Sequence, residues 1–249
     1  MHKFFTPINL FTDTHAFIQG DDVKHIYKVL RVTTGEKVSI NNLQGEEYLG
    51  EVEEISKTEV KVRLIEKLDI NNESPISITL FQAMPKATKM DLIVQKGIEL
   101  GMDEFIPVIT SRVDVKLKGE FKKLDRLNKI ALEAAKQSKR SKIAKVLEPM
   151  SFEEAMERMK EMDLIVIPYE NATGYGIKAL KNKVKDKEIK KIAIMVGPEG
   201  GFEEEEIENL KKIGAHIVTL GPRILRTETA GFTCASLLQY EFGDLGGEV

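Results

Sequence analysis

The chain has 249 residues, of which 42% are hydrophobic and 31% charged, with a formal net charge of −3. This size allows one or two globular domains, and no apolar run approaches the ~18 residues of a membrane span. Residues 1–5 lack the features of a secretory signal peptide. The single cysteine, Cys234, excludes an internal disulfide, and we interpret it as a core thiol of a helix rather than a nucleophile. We therefore expect a cytoplasmic protein.

Positive charge is concentrated in one part of the chain. Residues 112–145 carry twelve Lys/Arg against four Asp/Glu, a balance of +8. Residues 1–70 carry nine against twelve, a balance of −3. A basic block in a mildly acidic protein is typical of a polyanion-binding site. A solvated helix face would give the same count, so both interpretations stay open at this point.

Residues 1–72 are predicted to form a small β-barrel-like domain. Alternating apolar and polar residues predict three strands, at 37–40, 47–52 and 59–65. Residues 25–30 are predicted to form a short helix. The polar stretch 71–75 ends in proline and marks a domain boundary, so we assign residues 73–249 to a second domain.

In the second domain, apolar runs alternate with helical patterns. The runs predict five strands, at 76–83, 105–109, 164–168, 192–196 and 216–220. Helical periodicity predicts six helices, at 88–100, 122–140, 151–162, 177–184, 203–212 and 227–242. Strands that are apolar throughout favour a parallel sheet covered on both faces, and hence the α/β class.

Several local patterns refine the predicted helices. Thr88 with Asp91, and Ser151 with Glu154, have the spacing of capping boxes. The acidic run 203–206 suits the start of a helix and is interpreted so, rather than as a metal site. In the helix at 122–140, apolar residues follow one side and a stripe of cations follows the other. The stripe consists of Lys122, Arg126, Lys129, Lys136 and Arg140.

Two Gly/Pro turns follow the fourth and fifth strands of the second domain, at 197–202 and 220–230. Turns at matching strand ends build the ligand crevice of an α/β sheet. The first turn fits neither a P-loop nor G-x-G-x-x-G, which disfavours dinucleotide phosphates. Its glycines allow backbone groups to approach a flat ligand closely. An ordinary strand-to-helix turn is the alternative.

The second turn brings Arg226, Thr227, Glu228 and Thr229 to a helix start. Arg226 can hold a phosphate or stabilise an anionic base, and Glu228 can accept a proton. Alternatively, Arg226 and Glu228 form a local ion pair and Thr227 caps the helix. The four histidines lack metal-ligand spacing, so we expect no metal site.

The sequences GPEGGF at 197–202 and LGPRILRTETA at 220–230 resemble the RsmE family of ribosomal RNA methyltransferases, in the SPOUT superfamily. Further segments resemble the family in the same order, at 25–35, 96–101, 107–112 and 133–140. The resemblance implies a PUA-like β-barrel followed by an α/β domain with a trefoil knot. It also implies a homodimer that uses S-adenosyl-L-methionine to methylate N3 of one uridine in small-subunit (16S) ribosomal RNA, in the assembled 30S subunit.

The resemblance also assigns residues. The cofactor-binding positions it implies are Gly197, Glu199, Gly200, Leu220, Gly221, Ile224, Leu225 and Thr229. At the reacting centre, Arg226 would stabilise the uridine anion, and Glu228 or a water would take the proton. The RNA would be held by its shape and phosphates, through the cationic stripe and Arg31 of the β-barrel.

Two other functions remain possible from the sequence. One is an RNA-binding ribosome-assembly factor whose glycine turns are only structural. The other is a SPOUT enzyme that acts on transfer RNA or on a ribose hydroxyl, which the β-barrel and the segment 96–101 disfavour.

Overall fold

The computed structural model describes residues 1–70, 72–86, 88–113 and 121–247. The chain divides into two compact units. The first comprises Met1–Glu73 together with Ala135–Ile143, and the second comprises Ser74–Ala134 and Ala144–Val249. The sequence had assigned residues 135–143 to the second domain. No helix in the described ranges is long and apolar enough to cross a membrane.

The first unit is built on a five-stranded sheet. Its strands are β1 (His2–Phe5), β2 (His15–Gln19), β3 (Lys37–Asn41), β4 (Glu47–Ile55) and β5 (Glu59–Leu68). They lie in the order β1-β3-β4-β5-β2, where β1 is parallel to β3 and the other pairs are antiparallel. The three predicted strands are confirmed, each with a later end than predicted. Between β2 and β3, helix α1 (Asp21–His25) continues into a π-helical turn at Ile26–Leu30.

The core of the first unit comes from one side of each strand and of α1. Ile18, Ile26, Val38 and Val60 are almost completely buried within it. Alternation along the strands directs these apolar side chains inward, as the sequence pattern indicated. Some intervening polar residues are buried as well, such as Ser39 at 3% exposure.

The second unit is a mixed α/β fold around a fully parallel sheet. Its strands are β6 (Ser77–Ala83), β7 (Glu104–Ile109), β8 (Lys145–Val146), β9 (Met150–Ser151), β10 (Leu164–Pro168), β11 (Lys191–Val196) and β12 (His216–Val218). Their order is β12-β10-β11-β6-β7-β8, and β9 also pairs with β7. Every pairing is parallel, so the predicted parallel sheet is confirmed. The two-residue strands β8 and β9 were not predicted.

Within the described ranges, six helices connect or follow these strands. They are α2 (Lys89–Glu99), α3 (Leu124–Gln137), α4 (Phe152–Met159), α5 (Ile177–Lys183), α6 (Glu204–Lys212) and α7 (Thr227–Phe242). All six were predicted, and the structure shortens most of them by one or more residues at an end. The last turn of α3 belongs to the first unit.

The predicted capping boxes have different outcomes. At the start of α4, the Ser151 hydroxyl accepts from the Glu154 amide at 3.1 Å, and Glu154 accepts from the Ser151 amide at 2.8 Å. The acidic run forms the same reciprocal motif at α6, between Glu203 and Glu206. The prediction for Thr88 is wrong, because its side chain makes no capping hydrogen bond.

Cys234 of α7 is completely buried, as predicted for a core thiol. Burial raises the pKa of the thiol well above its usual range. The thiol therefore stays protonated and acts as a small apolar side chain.

Candidate active site

A cleft of about 540 Å³ opens where the strands β12, β10 and β11 end. This volume lies in the usual range for small-ligand sites. The three strands are neighbours in the parallel sheet, so the loops that follow them meet at one edge. The lining consists of Lys89, residues 168–170, 196–202, Leu220, residues 222–227 and Ala230. Both predicted glycine turns therefore belong to one site.

Most of the predicted cofactor positions lie on this cleft. Those that line it are Gly197, Glu199, Gly200, Leu220, Ile224 and Leu225. Gly221 lies between two lining residues, and Thr229 is exposed on the first turn of α7 without lining the cleft. Of the two residues predicted for the reacting centre, Arg226 lines the cleft and Glu228 does not.

The first turn has a backbone conformation that requires glycine. Gly201 has a φ of +71°, and a Cβ at this position would lie 2.6 Å from Oε1 of Glu170. Arg112 fixes the turn from the other side, because its Nη1 donates to the carbonyl of Gly200 at 2.8 Å. The same guanidinium donates to both carboxylate oxygens of Glu203, at 2.7 and 2.8 Å. This bidentate pair raises the pKa of Arg112 and anchors the turn to the start of α6.

A buried hydrogen-bond chain joins the two turns. The Thr227 hydroxyl donates to the carbonyl of Gly197 at 2.7 Å and accepts from Nε2 of Gln82 at 2.8 Å. Gln82 is fully buried on β6, directly opposite Val196 in the sheet register. Thr227 thus holds the second turn against the first, rather than capping α7 with its side chain.

Lys89, which the sequence analysis did not identify, connects the cleft to two carboxylates. Its Nζ lies 3.0 Å from Glu199 and 3.3 Å from Glu228. The hydrogen bond to Glu199 raises the pKa of Lys89. Burial acts to raise the pKa of Glu199, but hydrogen bonds from its own amide, from Lys89 and from the Lys86 amide outweigh burial and lower that pKa. Lys89 and Glu199 are therefore both charged at neutral pH.

Arg226 presents its side chain at the cleft. It occupies the N-cap position of α7 with an extended backbone, and its side chain is exposed. Among the residues that the structure describes, this side chain has no hydrogen-bond or ion-pair partner. The local ion pair with Glu228 that the sequence left open is not formed, because Glu228 pairs with Lys89. The guanidinium is thus available to an anionic ligand.

Within the described residues, the stripe cations of the second unit differ in whether they pair with a carboxylate. Lys122 and Lys129 are exposed and make no ion pair within the described ranges. Arg126 is also exposed, but its Nη2 lies 2.5 Å from Asp91. The part of the basic block at 114–120 lies outside the described residues.

The predicted RNA contacts of the first unit have different environments. Arg31 is exposed and ends the π-helical turn with a left-handed φ of +52°. Nζ of Lys136 lies 3.0 Å from Asp22. Arg140 is buried, and its Nη2 lies 2.5 Å from Oε2 of Glu73. Its placement argues against a direct contact between this guanidinium and RNA.

No group of three or more His, Cys, Asp or Glu residues in the described part of the chain could hold a metal ion.

Two family models match the chain. The RNA methyltransferase domain matches residues 72–239, and the RNA methyltransferase PUA domain matches residues 18–65. The two matches fall on the α/β and β-rich parts of the chain, respectively.

Named relatives match over nearly the whole chain. Ribosomal RNA small subunit methyltransferase E of Bacillus subtilis (strain 168) is 37% identical over 235 residues, 93% of this chain and 92% of that protein. The protein of the same name from Buchnera aphidicola subsp. Acyrthosiphon pisum (strain APS) is 33% identical, with 92% and 88% covered. A crystal structure of a Ribosomal RNA small subunit methyltransferase E from Neisseria gonorrhoeae, bound to S-adenosyl methionine, has a TM-score of 0.82. Its identity is 31%, and the match covers 98% of this chain and 99% of that chain.

Proposed function

This chain belongs to the Ribosomal RNA small subunit methyltransferase E family and is a methyltransferase, and from this premise we propose that it methylates N3 of a specific uridine in 16S ribosomal RNA. The proposed substrate is the assembled 30S subunit. The observation that carries the proposal is that the two glycine turns meet in one cleft, beside an Arg226 side chain that has no partner among the described residues. One side offers backbone groups to a cofactor, and the other offers a cation to an anionic base.

The cofactor of the proposed reaction is S-adenosyl-L-methionine, which supplies an electrophilic methyl group when bound. The cleft volume of about 540 Å³ and the absence of side chains at Gly197 and Gly200 support this assignment. Backbone amides and carbonyls of such turns can bind the edge of a purine. The residues proposed to hold the cofactor are Gly197, Glu199, Gly200, Leu220, Gly221, Ile224, Leu225 and Thr229.

Arg226 is proposed to stabilise the reacting uridine. N3 of uracil carries a weakly acidic proton and becomes a good nucleophile only after this proton is lost. Negative charge then spreads over N3 and the adjacent carbonyl oxygens. A guanidinium donating to one of these oxygens stabilises the anion and lowers the barrier to methyl transfer.

A water molecule, rather than Glu228, is proposed to take the N3 proton. Glu228 does not line the cleft, and its carboxylate is only 12% exposed beside Lys89. Glu228 is therefore assigned to positioning Lys89, which lines the cleft together with Glu199.

The RNA must present an unpaired uridine. N3 is the hydrogen-bonding nitrogen of a paired uracil, so the base has to be unpaired or extruded before it enters the cleft. Exposed cations in each unit, including Arg31, Lys122 and Lys129, are proposed to bind phosphates. Arg126 and Lys136 would join them by exchanging their present carboxylate partners for phosphate.

Family membership supports three further assignments. The second unit is proposed to be a SPOUT domain with a C-terminal trefoil knot. The protein is proposed to be a homodimer. Its proposed location is the cytoplasm, where bacterial ribosomal RNA is found. An experimental structure with its backbone traced through residues 196–230 tests the knot, and sedimentation tests the dimer.

Two measurements test the proposed function. Calorimetry should show that the protein binds S-adenosyl-L-methionine, whereas a purely structural assembly factor would show no binding. Mass mapping of 16S ribosomal RNA from a strain without this protein should reveal one uridine that lacks an N3 methyl group, restored by the wild-type gene. In vitro, 30S subunits from that strain should accept the methyl group better than naked 16S RNA. Loss of a transfer RNA or ribose methyl group instead would contradict the proposal.

A further inference from the structure

The first unit has a cleft of its own, of about 510 Å³, which we call the Tyr27 cleft. One wall is formed by α1 and the π-helical turn, and the other by the turn that joins β4 to β5. The residues that line it are Val23, Lys24, Tyr27, Lys28, Ile55, Ser56 and Lys57. The proposed function does not account for this cleft.

The aromatic ring of Tyr27 is unusually accessible for its size. Tyr27 is 68% exposed, although Val23 beside it is only 2% exposed and belongs to the core. The Tyr27 side chain has no aromatic or hydrogen-bond partner among the described residues. An accessible ring above an apolar floor can stack on a planar ligand.

The described charged residues that line the Tyr27 cleft all have the same sign. Among the described residues that line the cleft, three are lysines and none is acidic, whereas residues 1–70 as a whole have a balance of −3. Lys24, Tyr27 and Lys28 have i, i+3, i+4 spacing, which brings them to one helical face. Lys57 approaches from the opposite wall. Cations on both sides of an aromatic ring match the alternation of phosphate and base in a nucleic acid strand.

We propose that the Tyr27 cleft binds a single-stranded stretch of RNA, with one base stacked on the Tyr27 ring and the adjacent phosphates at Lys28 and Lys57. Only an unpaired base can stack on the ring, because duplex RNA hides the faces of its bases. This inference rests on the proposed function and deepens it, since it identifies how the first unit would recognise the RNA substrate.

The absence of tryptophan from the sequence allows a direct test. Tyr27→Trp places the only tryptophan of the variant in the cleft. Val29→Trp is the matched control, at a neighbouring position that is 64% exposed and does not line the cleft. A single-stranded RNA of about ten nucleotides, within the usual site size, should quench the fluorescence of Tyr27→Trp and leave Val29→Trp nearly unchanged. A fully paired RNA hairpin should quench neither. Equal quenching of both variants would contradict stacking in the cleft.

Affinity measurements separate this inference from the proposed function. By fluorescence anisotropy of labelled single-stranded RNA, Tyr27→Ala should weaken binding about 5- to 150-fold, the range of one base–aromatic stack. Tyr27→Phe should bind like the wild type, and all variants should keep wild-type affinity for S-adenosyl-L-methionine. Unchanged RNA affinity in Tyr27→Ala would overturn the inference alone. A wild-type protein that binds no single-stranded RNA would overturn the inference, and one that binds no cofactor would overturn the proposed function.

Discussion

Arg226 and Arg223 offer a matched comparison at the cleft, because both arginines are exposed and both line it. We expect Arg226→Ala to lower kcat about 10²- to 10³-fold, the usual effect of removing one donor to a developing anion. Affinity for S-adenosyl-L-methionine should remain unchanged, since the predicted role concerns the base. Arg223→Ala should leave kcat within a few fold of wild type. Steady-state methyl transfer to 30S subunits measures kcat for both variants. Wild-type kcat in Arg226→Ala would contradict the assignment.

A substitution at Glu228 tests which group accepts the N3 proton of the uridine. Glu228→Gln keeps the shape of the side chain and removes its charge, so we expect kcat to fall by less than about tenfold if water accepts the proton. A loss of about 10²- to 10⁴-fold would identify Glu228 as the general base instead. A pH–rate profile of the same variant distinguishes the two outcomes, because loss of a general base would also remove the ionisation attributed to it.

At the scale of residues, the sequence indicated cleft residues that lie within one short motif, but it did not indicate residues whose partners are far away in the chain. Arg226 could be identified because it lies within a compact motif of the second turn. Lys89 and Arg112 could not, since their partners Glu199 and Glu203 follow 110 and 91 residues later. Neither residue type nor spacing indicates such pairs. Lys89 had only one weak signal, its position at the start of the helix that follows the predicted strand 76–83.

The first glycine turn can be tested as an element. Gly201 and Gly214 both have positive φ values, +71° and +86°, but a Cβ at Gly214 would meet nothing within 4 Å. Alanine at either position should cost about 1–2 kcal/mol, because of the left-handed backbone. Only Gly201→Ala should also weaken cofactor binding, by about tenfold or 1.4 kcal/mol, since its Cβ would press on Glu170. Thermal unfolding and calorimetry measure the two effects. Equal cofactor affinity in both variants would show that the turn does not contact the cofactor.

The end of the sheet at β12 should respond to acid. His216 accepts from or donates to the Tyr175 hydroxyl at 2.8 Å, and their rings are stacked. Burial, together with Lys183 and Lys187, lowers the pKa of His216 below its ordinary 6.5. Between that ordinary value and the lower folded-state pKa, the unfolded chain binds the proton more readily, so stability falls as pH falls. The slope from this one group is at most about 1.4 kcal/mol per pH unit.

His216→Gln provides the comparison for this acid response. Unfolding by urea from pH 8 downward should show a shallower loss of stability in the variant than in the wild type below about pH 6.5, because the variant lacks the titrating ring. The two curves should run parallel above that pH. Parallel curves throughout would mean that His216 does not contribute to the acid sensitivity of the fold.

Whether a helix or strand could be predicted depended on its length and on the periodicity of its apolar residues. The five strands of three or more residues in the second unit were identified because continuous apolar runs mark buried parallel strands. The strands β8 and β9 have two residues each, too few for any pattern. The cap predicted for Thr88 failed because spacing alone does not determine whether a hydroxyl turns toward the helix amides.

The division of the whole chain could be predicted only in part. A polar, proline-ended stretch indicated a boundary near residue 73, but residues 135–143 return to the first unit. There, the Glu73 carboxylate accepts from the Arg140 side chain and from the amides of Ser141 and Lys142, at 2.6 Å and 3.1 Å for the amides. Helical periodicity predicted that Arg140 lies on an exposed cationic face, but Arg140 is buried. Periodicity could not show this, because it does not reveal that the residues at the end of the helix belong to the first unit. A buried, hydrogen-bonded ion pair of this kind would be costly to break.

RNA binding by the whole molecule should depend strongly on salt. Cations that bind phosphates release counterions from the RNA, so removing one such cation should reduce the slope of log affinity against log salt by about 0.7–0.9. We expect the double variant Lys122→Ala/Lys129→Ala to reduce that slope by about twice this amount, since both lysines are exposed and have no described ion-pair partner. Lys178→Ala/Lys185→Ala removes the same charge from exposed positions in and after α5 and should leave the slope unchanged. If both double variants reduced the slope equally, net charge rather than the cationic stripe would account for RNA affinity.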